Sequence, residues 1–293
     1  MTNNKSRIAT LFSICLSLCV AIALGQGSGL VSGIPVILLC WAIIFVIQWL
    51  AFLPSFYYKT EHYYDVTGSL TYLTVVITAL LAASTLSARD FLIGLVIIIW
   101  ALRLGSFLFL RIKKQGRDER FEHIKNNFWR FLMTWTLQGL WVFLTLTMAL
   151  AAITSEVKKE LDAPAWLGLA IWLVGFAFEV VADRQKTAFR QDPSNTGNFI
   201  TTGLWSWSRH PNYFGEMVLW MGVAVMAMPV LSGWQWVAMI SPVFVIFLLT
   251  KISGVDMLEA QGVRRWGDDP NYQAYLVRTS KLLPRPPLSP DIA

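Results

Sequence analysis

Charge is what this sequence has least of. Asp, Glu, Lys and Arg make up 14% of its 293 residues, against about 25% in typical soluble domains, and none occurs between Arg7 and Lys59. Such a composition excludes a water-soluble globular domain and indicates an integral membrane protein. The uncharged run is too long for the apolar core of a signal peptide, and no cleavage site of small residues follows residues 8–24. Cysteine is nearly absent: Cys15, Cys19 and Cys40 lie in apolar runs without a Cys-x-x-Cys spacing, which excludes a disulfide framework. The three histidines, His62, His123 and His210, are dispersed, so no dedicated metal site is expected. There is no Gly-x-Gly-x-x-Gly after a strand and no room for a soluble βαβ unit, so any nucleotide must be held among helix ends and loops. The formal charge of +6 is too modest and too interleaved with apolar segments for nucleic acid. It fits loops facing anionic lipid or an anionic cofactor. No feature points to an obligate protein partner.

What is present is a series of apolar windows of the length that spans a bilayer, roughly 17–25 residues. Seven occur, 8–24, 34–53, 67–83, 91–110, 131–153, 165–181 and 234–250, and a slightly shorter one, 217–231, makes eight. Short cytoplasmic loops carry the excess of Lys and Arg. With the N-terminus inside, the fourth loop holds Arg111, Lys113, Lys114, Arg117, Arg120, Lys125 and Arg130, and the sixth holds Arg184, Lys186, Arg190 and Arg209. The outside keeps only Arg89, Lys158 and Lys159. The expectation is an all-α polytopic membrane helix bundle of about eight transmembrane helices, both termini cytoplasmic, with its chemistry on the cytoplasmic side.

The densest polar stretch at a helix mouth is residues 203–216, Gly-Leu-Trp-Ser-Trp-Ser-Arg-His-Pro-Asn-Tyr-Phe-Gly-Glu. Pro211 suits the first helical position, so Asn212, Glu216 and Trp220 recur every four residues on one face. A carboxylate dipping into an apolar segment is costly without a partner and marks function; the plainer alternative is a cap with an interfacial Arg and Trp belt. If the sixth helix continues past the membrane surface, Glu179, Asp183, Lys186 or Thr187 and Arg190 form a second stripe. Carboxylates suit ribose hydroxyls, and Arg and Lys suit phosphates; alternatively the stripe is a charged helix end snorkelling to headgroups. The connector 192–203, with Asn198, is rich in turn residues that present backbone N–H groups. Arg103 sits within the fourth span and needs an acceptor. The connector 57–65 offers Glu61, Tyr63, Tyr64 and Asp65, or an interfacial tyrosine belt. In the tail, Tyr272, Tyr275, Ser280 and Lys281 either close over a nucleotide or lie on an amphipathic surface helix.

Together these segments resemble the steroid 5α-reductase family, in its bacterial branch, a domain of unknown function related to the family's C-terminal region. The resemblance rests on Gly203-Leu204-Trp205, residues 208–216 (Ser-Arg-His-Pro-Asn-Tyr-Phe-Gly-Glu), Trp100 with Arg103-Leu104-Gly105, and the tail residues 269–272 and 279–284. It spans residues 40–285, so that 1–33 reads as an additional N-terminal helix and loop, 34–285 as a seven-helix core, and 286–293 as a tail. The Arg-His-Pro piece also occurs in isoprenylcysteine and phospholipid methyltransferases. The resemblance implies NADPH as cofactor, with Asn212 and Glu216 at the nicotinamide end, Asp183 and Arg190 at the ribose–phosphate end, and Arg117 on a phosphate. Glu179, Lys186, Asn198, Arg209, His210, Tyr213, Trp220, Tyr272, Tyr275, Ser280 and Lys281 complete the expected cofactor set. The family's acid–tyrosine pair has no single match here: the acid is Glu61 or Asp65, and the carbonyl donor Arg103, Tyr63 or Tyr64.

The expected reaction saturates a carbon–carbon double bond of an apolar α,β-unsaturated ketone, steroid-like or another lipid. The expected location is the bacterial inner membrane, with the cofactor site facing the cytoplasm. Two alternatives stay open: an S-adenosylmethionine-dependent membrane methyltransferase of the isoprenylcysteine or phospholipid type, and a lipid carrier gated by the intramembrane Glu and Arg. The basic loops favour the dinucleotide, which carries phosphates; no repeated, helix-broken halves favour the carrier.

Overall fold

The computed structural model describes residues 2–115 and 121–286. The elements in chain order are α1 (Asn3–Gly25), the strands β1 (Leu30–Val31) and β2 (Ile34–Pro35), α2 (Val36–Tyr57), α3 (Tyr64–Ala82), α4 (Ala88–Gln115), α5 (Phe128–Thr154), α6 (Ala163–Gln191), α7 (Pro211–Ala227), α8 (Ile240–Phe247), α9 (Val255–Trp266) and α10 (Pro270–Arg278). Among the described residues eight helices are long and apolar enough to cross a membrane. This is the expected all-α polytopic bundle of an integral multi-pass membrane protein. Leucines such as Leu50, Leu53 and Leu81 face outward on these helices, which water would penalise and acyl chains do not.

The chain forms two compact units, Met1–Trp166 with Ala224–Ser241, and Leu167–Val223 with Pro242–Ala293. In the first, α5 is the central helix: residues 142–155 are buried without a break, and α1, α2, α3 and α4 all pack against it. A helix apolar on every side can be stable only when surrounded. Several of the hydroxyls and carbonyls on and around it are paired, as a site without water favours. Thr147 Oγ1 donates to the Ala238 carbonyl at 3.0 Å, Ser241 Oγ to the Thr145 carbonyl at 2.6 Å, and Gln235 Nε2 to the Gly27 carbonyl at 2.9 Å. Arg89 is fully buried at the start of α4. Its guanidinium donates to the carbonyls of Met226 at 2.6 Å and Glu160 at 3.0 Å and pairs with Asp162 at 2.6 Å, and the bond from Arg89 holds the Asp162 carboxyl below the usual range.

The second unit rests on a close approach of α6 and α7. A Cβ on Gly215 would lie 2.6 Å from the Glu179 nitrogen and the Gly175 carbonyl oxygen; one on Gly222 would lie 2.6 Å from the Gly168 oxygen and the Trp172 nitrogen. Gly168 and Gly175 on α6 therefore face Gly222 and Gly215 on antiparallel α7, seven residues apart on each helix. Small residues let helix backbones touch where lipid offers no hydrophobic drive to association.

Two local features depart from the sequence expectation. The loop after α1 forms a small antiparallel hairpin, Leu30 opposite Pro35. Ser32 and Gly33 at its tip both have positive φ, 51° and 80°, as a two-residue hairpin turn requires. The eighth span is segmented: a 3₁₀ stretch (Gly233–Met239), α8, a π-turn (Leu248–Ile252), then α9. A side chain at Gly254 would meet the Leu249 carbonyl, so glycine permits the chain to fold back after the π-turn.

Candidate functional site

Because α6 runs unbroken to Gln191, the expected stripe along its last turns is formed. Its members grade from buried to exposed: Glu179 and Asp183 are 3% and 7% exposed, Lys186 is half-buried, and Arg190 is exposed. Lys186 lies with its ammonium 4.4 Å over the Trp205 ring, and Trp205 is fixed by donating Nε1–H to the Ala182 carbonyl at 3.0 Å. Opposite this stripe stands the first turn of α7. Asn212 Nδ2 donates to Asp183 Oδ1 at 3.2 Å, Gly215 touches the backbone of Glu179, and half-buried Glu216 follows one turn beyond Asn212. Trp220 is buried on the next turn. The glycine contact at Gly215 thus sets the spacing that brings an amide against a carboxylate between two helices.

The chain from Gly203 to His210 closes onto the C-terminal segment. Arg209 donates Nε and Nη2 to Glu259 at 3.1 and 2.6 Å, and Nη1 to the carbonyls of Leu276 at 2.7 Å and Thr279 at 2.8 Å. Its backbone N–H bonds the Ser280 carbonyl at 2.9 Å, and Ser208 Oγ the Leu282 carbonyl at 2.7 Å. Tyr275, buried, donates its hydroxyl to the Trp205 carbonyl at 2.7 Å, and burial pushes both Tyr275 and Tyr272 above the usual phenol range. Tyr272, Tyr275, Phe199 and Trp266 form one aromatic cluster. Lys281 pairs with Asp256 at 2.7 Å on the surface. The contacts of Arg209 and Ser280 are therefore those of a fastened tail, while Asn198 stands exposed in the connector.

His210 stacks on Tyr213 with ring centroids 5.9 Å apart and places Nε2 2.8 Å from Glu259 Oε1. Burial holds this imidazole below its ordinary value of 6.5, outweighing the pull of Glu259. The neutral ring donates from Nε2 to the carboxylate. Because the folded value is depressed, the stability that His210 contributes is complete above about pH 6.5 and is lost as pH falls through the lower folded value. The melting temperature of the protein is expected to fall more between pH 7 and pH 5 than that of His210→Asn; parallel curves would place the titrating group elsewhere.

The candidates for a carbonyl donor all lie in the first unit. Glu61 is buried and accepts a bond from Lys125 Nζ at 2.9 Å. Tyr64 donates its hydroxyl to the Thr134 carbonyl at 3.1 Å and packs its ring tilted against Phe121 and edge-on against Trp135. Asp65 is half-buried in the first turn of α3, Tyr63 is exposed, and half-buried Arg103 lies 5.3 Å over the Phe107 ring. Arg117 lies outside the described residues. Two partners went unread in the sequence, Glu259 and Lys125. Each sits about 50 or more positions from the residue it pairs with, beyond the reach of helical spacing.

Residues 51–279 match the family described as "Protein of unknown function (DUF1295)". An uncharacterized protein of the fission yeast Schizosaccharomyces pombe is 28% identical over 102 residues, 29% of this chain and 30% of that protein. A "Probable O-methyltransferase ustE" of Ustilaginoidea virens is 32% identical over 119 residues, 34% of this chain and 42% of the relative. In both cases the chain spans less than half the length of the curated relative. No solved structure matches.

Proposed function

The chain belongs to the DUF1295 family, which is related to steroid 5α-reductase-like proteins, and from that premise we propose that it is a membrane-embedded, NADPH-dependent reductase of an apolar α,β-unsaturated ketone. The observation that carries the reading is the graded stripe on α6 with its α7 partner: buried Glu179 and Asp183, the latter bonded to Asn212, running outward to Lys186 and exposed Arg190. Acids and an amide inside with cations outside follow the order of a dinucleotide. Carboxylates accept from ribose hydroxyls and from a carboxamide N–H, and the cations pair with phosphates. These residues fit the cofactor: Asn212 and Glu216 would hold the nicotinamide amide, Asp183 the ribose, and Lys186 and Arg190 the phosphates. The bound dinucleotide supplies the hydride. The chain's own task is to place a donor at the carbonyl oxygen, where negative charge develops, and Tyr63, Tyr64 and Arg103 are the groups proposed for it, with Glu61 or Asp65 as the accompanying acid. Under this reading the site faces the cytoplasm of a bacterial inner membrane, and the substrate arrives through the bilayer.

A second reading, an S-adenosylmethionine-dependent methyltransferase, draws on the relative named a probable O-methyltransferase. The same acids would hold its ribose, and the cations would have no phosphate to meet. Thermal-shift titration of the purified protein with NADPH, NADH and S-adenosylmethionine separates the two. NADPH is expected to raise the melting temperature. Stabilisation by S-adenosylmethionine with none by NADPH sinks the reductase and establishes its rival. Glu216→Gln is expected to weaken NADPH about 10- to 100-fold, the range of one hydrogen bond to a charged group, with little change in melting of the free protein; an equal loss of both returns Glu216 to a structural role.

A further inference from the structure

A groove of about 320 Å³ opens on the first unit between α2 and α5. Val46, Trp49, Leu50 and Leu53 line one side, and Phe128 and Leu132 the other. The indole N–H of Trp49 is turned to Thr136 Oγ1 at 3.2 Å, so the lining presents hydrocarbon and ring faces. Val46 to Leu53 is two turns of helix, about 10 Å along the axis. The proposed dinucleotide residues have no part in it.

One end of the groove is cationic. Phe128, at the first position of α5, packs edge-on against Trp129 at 5.2 Å and against Phe56 at 5.3 Å. The Arg7 guanidinium lies 4.3 Å over the Trp129 ring, and the Lys59 ammonium 3.6 Å over the Phe56 ring. Two cations thus flank the aromatic residue that ends the apolar lining, each held over a ring face, and both are exposed. The nearby acids Glu61 and Glu122 are engaged by Lys125. Lys59 also stands where another residue would be easier. α2 ends with Lys59 N–H to the Phe56 carbonyl at 3.4 Å and Thr60 N–H to the Ser55 carbonyl at 3.0 Å, a Schellman pattern whose left-handed position is usually glycine. Lys59 takes it at φ 53°. The side chain occupies a backbone position that favours having none.

We propose that this groove binds an anionic phospholipid of the surrounding bilayer, one acyl chain along α2 and α5 and the phosphate between Arg7 and Lys59. Basic sites at the ends of membrane helices recognise anionic headgroups, and an apolar trough ending at such a site adds the chain. A zwitterionic lipid would fill the trough equally well and gain less at its mouth.

The test is native mass spectrometry of the full-length protein released from detergent with added palmitoyl-oleoyl phosphatidylglycerol or palmitoyl-oleoyl phosphatidylcholine. Phosphatidylglycerol adducts are expected to survive collision energies that strip phosphatidylcholine. The double variant Arg7→Gln, Lys59→Gly is expected to abolish that difference while melting at or above the wild-type temperature, since glycine suits the left-handed cap. Leu50→Trp, which fills the trough, is expected to lower retention of both lipids several-fold. Equal retention of the two lipids by the wild type, a preference that persists in the double variant, or full retention in Leu50→Trp would each overturn the proposal.

Discussion

Gly215→Ala is expected to lower the melting temperature by several degrees and, under the reductase reading, to remove stabilisation by NADPH altogether. The added Cβ would stand 2.6 Å from the Glu179 nitrogen and the Gly175 oxygen and 3.1 Å from the Glu179 Cα. All three are backbone atoms of α6, so no side-chain rotation relieves the overlap and the helices must separate. Overpacking of this kind costs about 1–3 kcal/mol. Alanine's better helix propensity returns at most about 1 kcal/mol, so the loss prevails. As the axes part, the 3.2 Å bond from Asn212 to Asp183 is among the first to break, being one turn from the overlap. Gly222→Ala supplies the control. Its Cβ meets the α6 backbone just as closely, but about 10 Å further along α7, away from the acids. It should lower the melting temperature comparably and leave the NADPH shift largely intact. If Gly215→Ala melts like wild type, the close approach is not what positions Asn212. If both variants lose the NADPH shift equally, the acid–amide pair has no special part in binding.

That contact also shows where sequence reading stops. The eight spans were legible because a bilayer imposes a length and a hydropathy on each, and little else competes with that signal. The stripes Glu179, Asp183, Lys186 and Arg190 on α6 and Asn212, Glu216 and Trp220 on α7 were legible because helical spacing is local. The pairing of the two stripes was not. It depends on Gly168 and Gly175 facing Gly222 and Gly215, a seven-residue repeat in each helix that becomes meaningful only once the two helices are known to be neighbours. The tail posed the same difficulty. Its tyrosines suit either a lid or a surface helix, and only the bonds from Arg209 to Leu276 and Thr279 show it fastened. In the eighth span the apolar run concealed its own interruption, since a π-turn and a 3₁₀ stretch leave hydropathy unchanged.

Arg209→Ala is expected to loosen the C-terminal segment as a unit. Its guanidinium makes two bonds to Glu259 and one each to the carbonyls of Leu276 and Thr279, joining α9 and α10 to the entrance of α7. Among the described residues alanine leaves Glu259 with His210 alone and removes the donor that Arg209 gives two carbonyls. Removing one partner of a buried pair costs about 3–5 kcal/mol. The side chains here are 12% and 19% exposed, so solvent screening reduces the figure to about 2–3 kcal/mol. Hydrogen exchange of residues 270–283 should quicken about 30- to 150-fold, and a protease should cut there before it cuts elsewhere. Arg209→Lys restores the charge without the fork that serves three acceptors at once, and should fall between the two. Lys281→Ala breaks a pair whose side chains are 48% and 42% exposed, worth no more than about 1 kcal/mol, and should leave exchange unchanged. Equal protection in Arg209→Ala and Lys281→Ala would show the tail to be held by its tyrosines, through Tyr275 on Trp205, with the ion pair incidental. If the tail instead loosens as expected, NADPH affinity becomes the deciding measurement. A fall in parallel with exchange makes the fastened tail part of the proposed cofactor site, and an unchanged affinity confines that proposed site to α6 and α7.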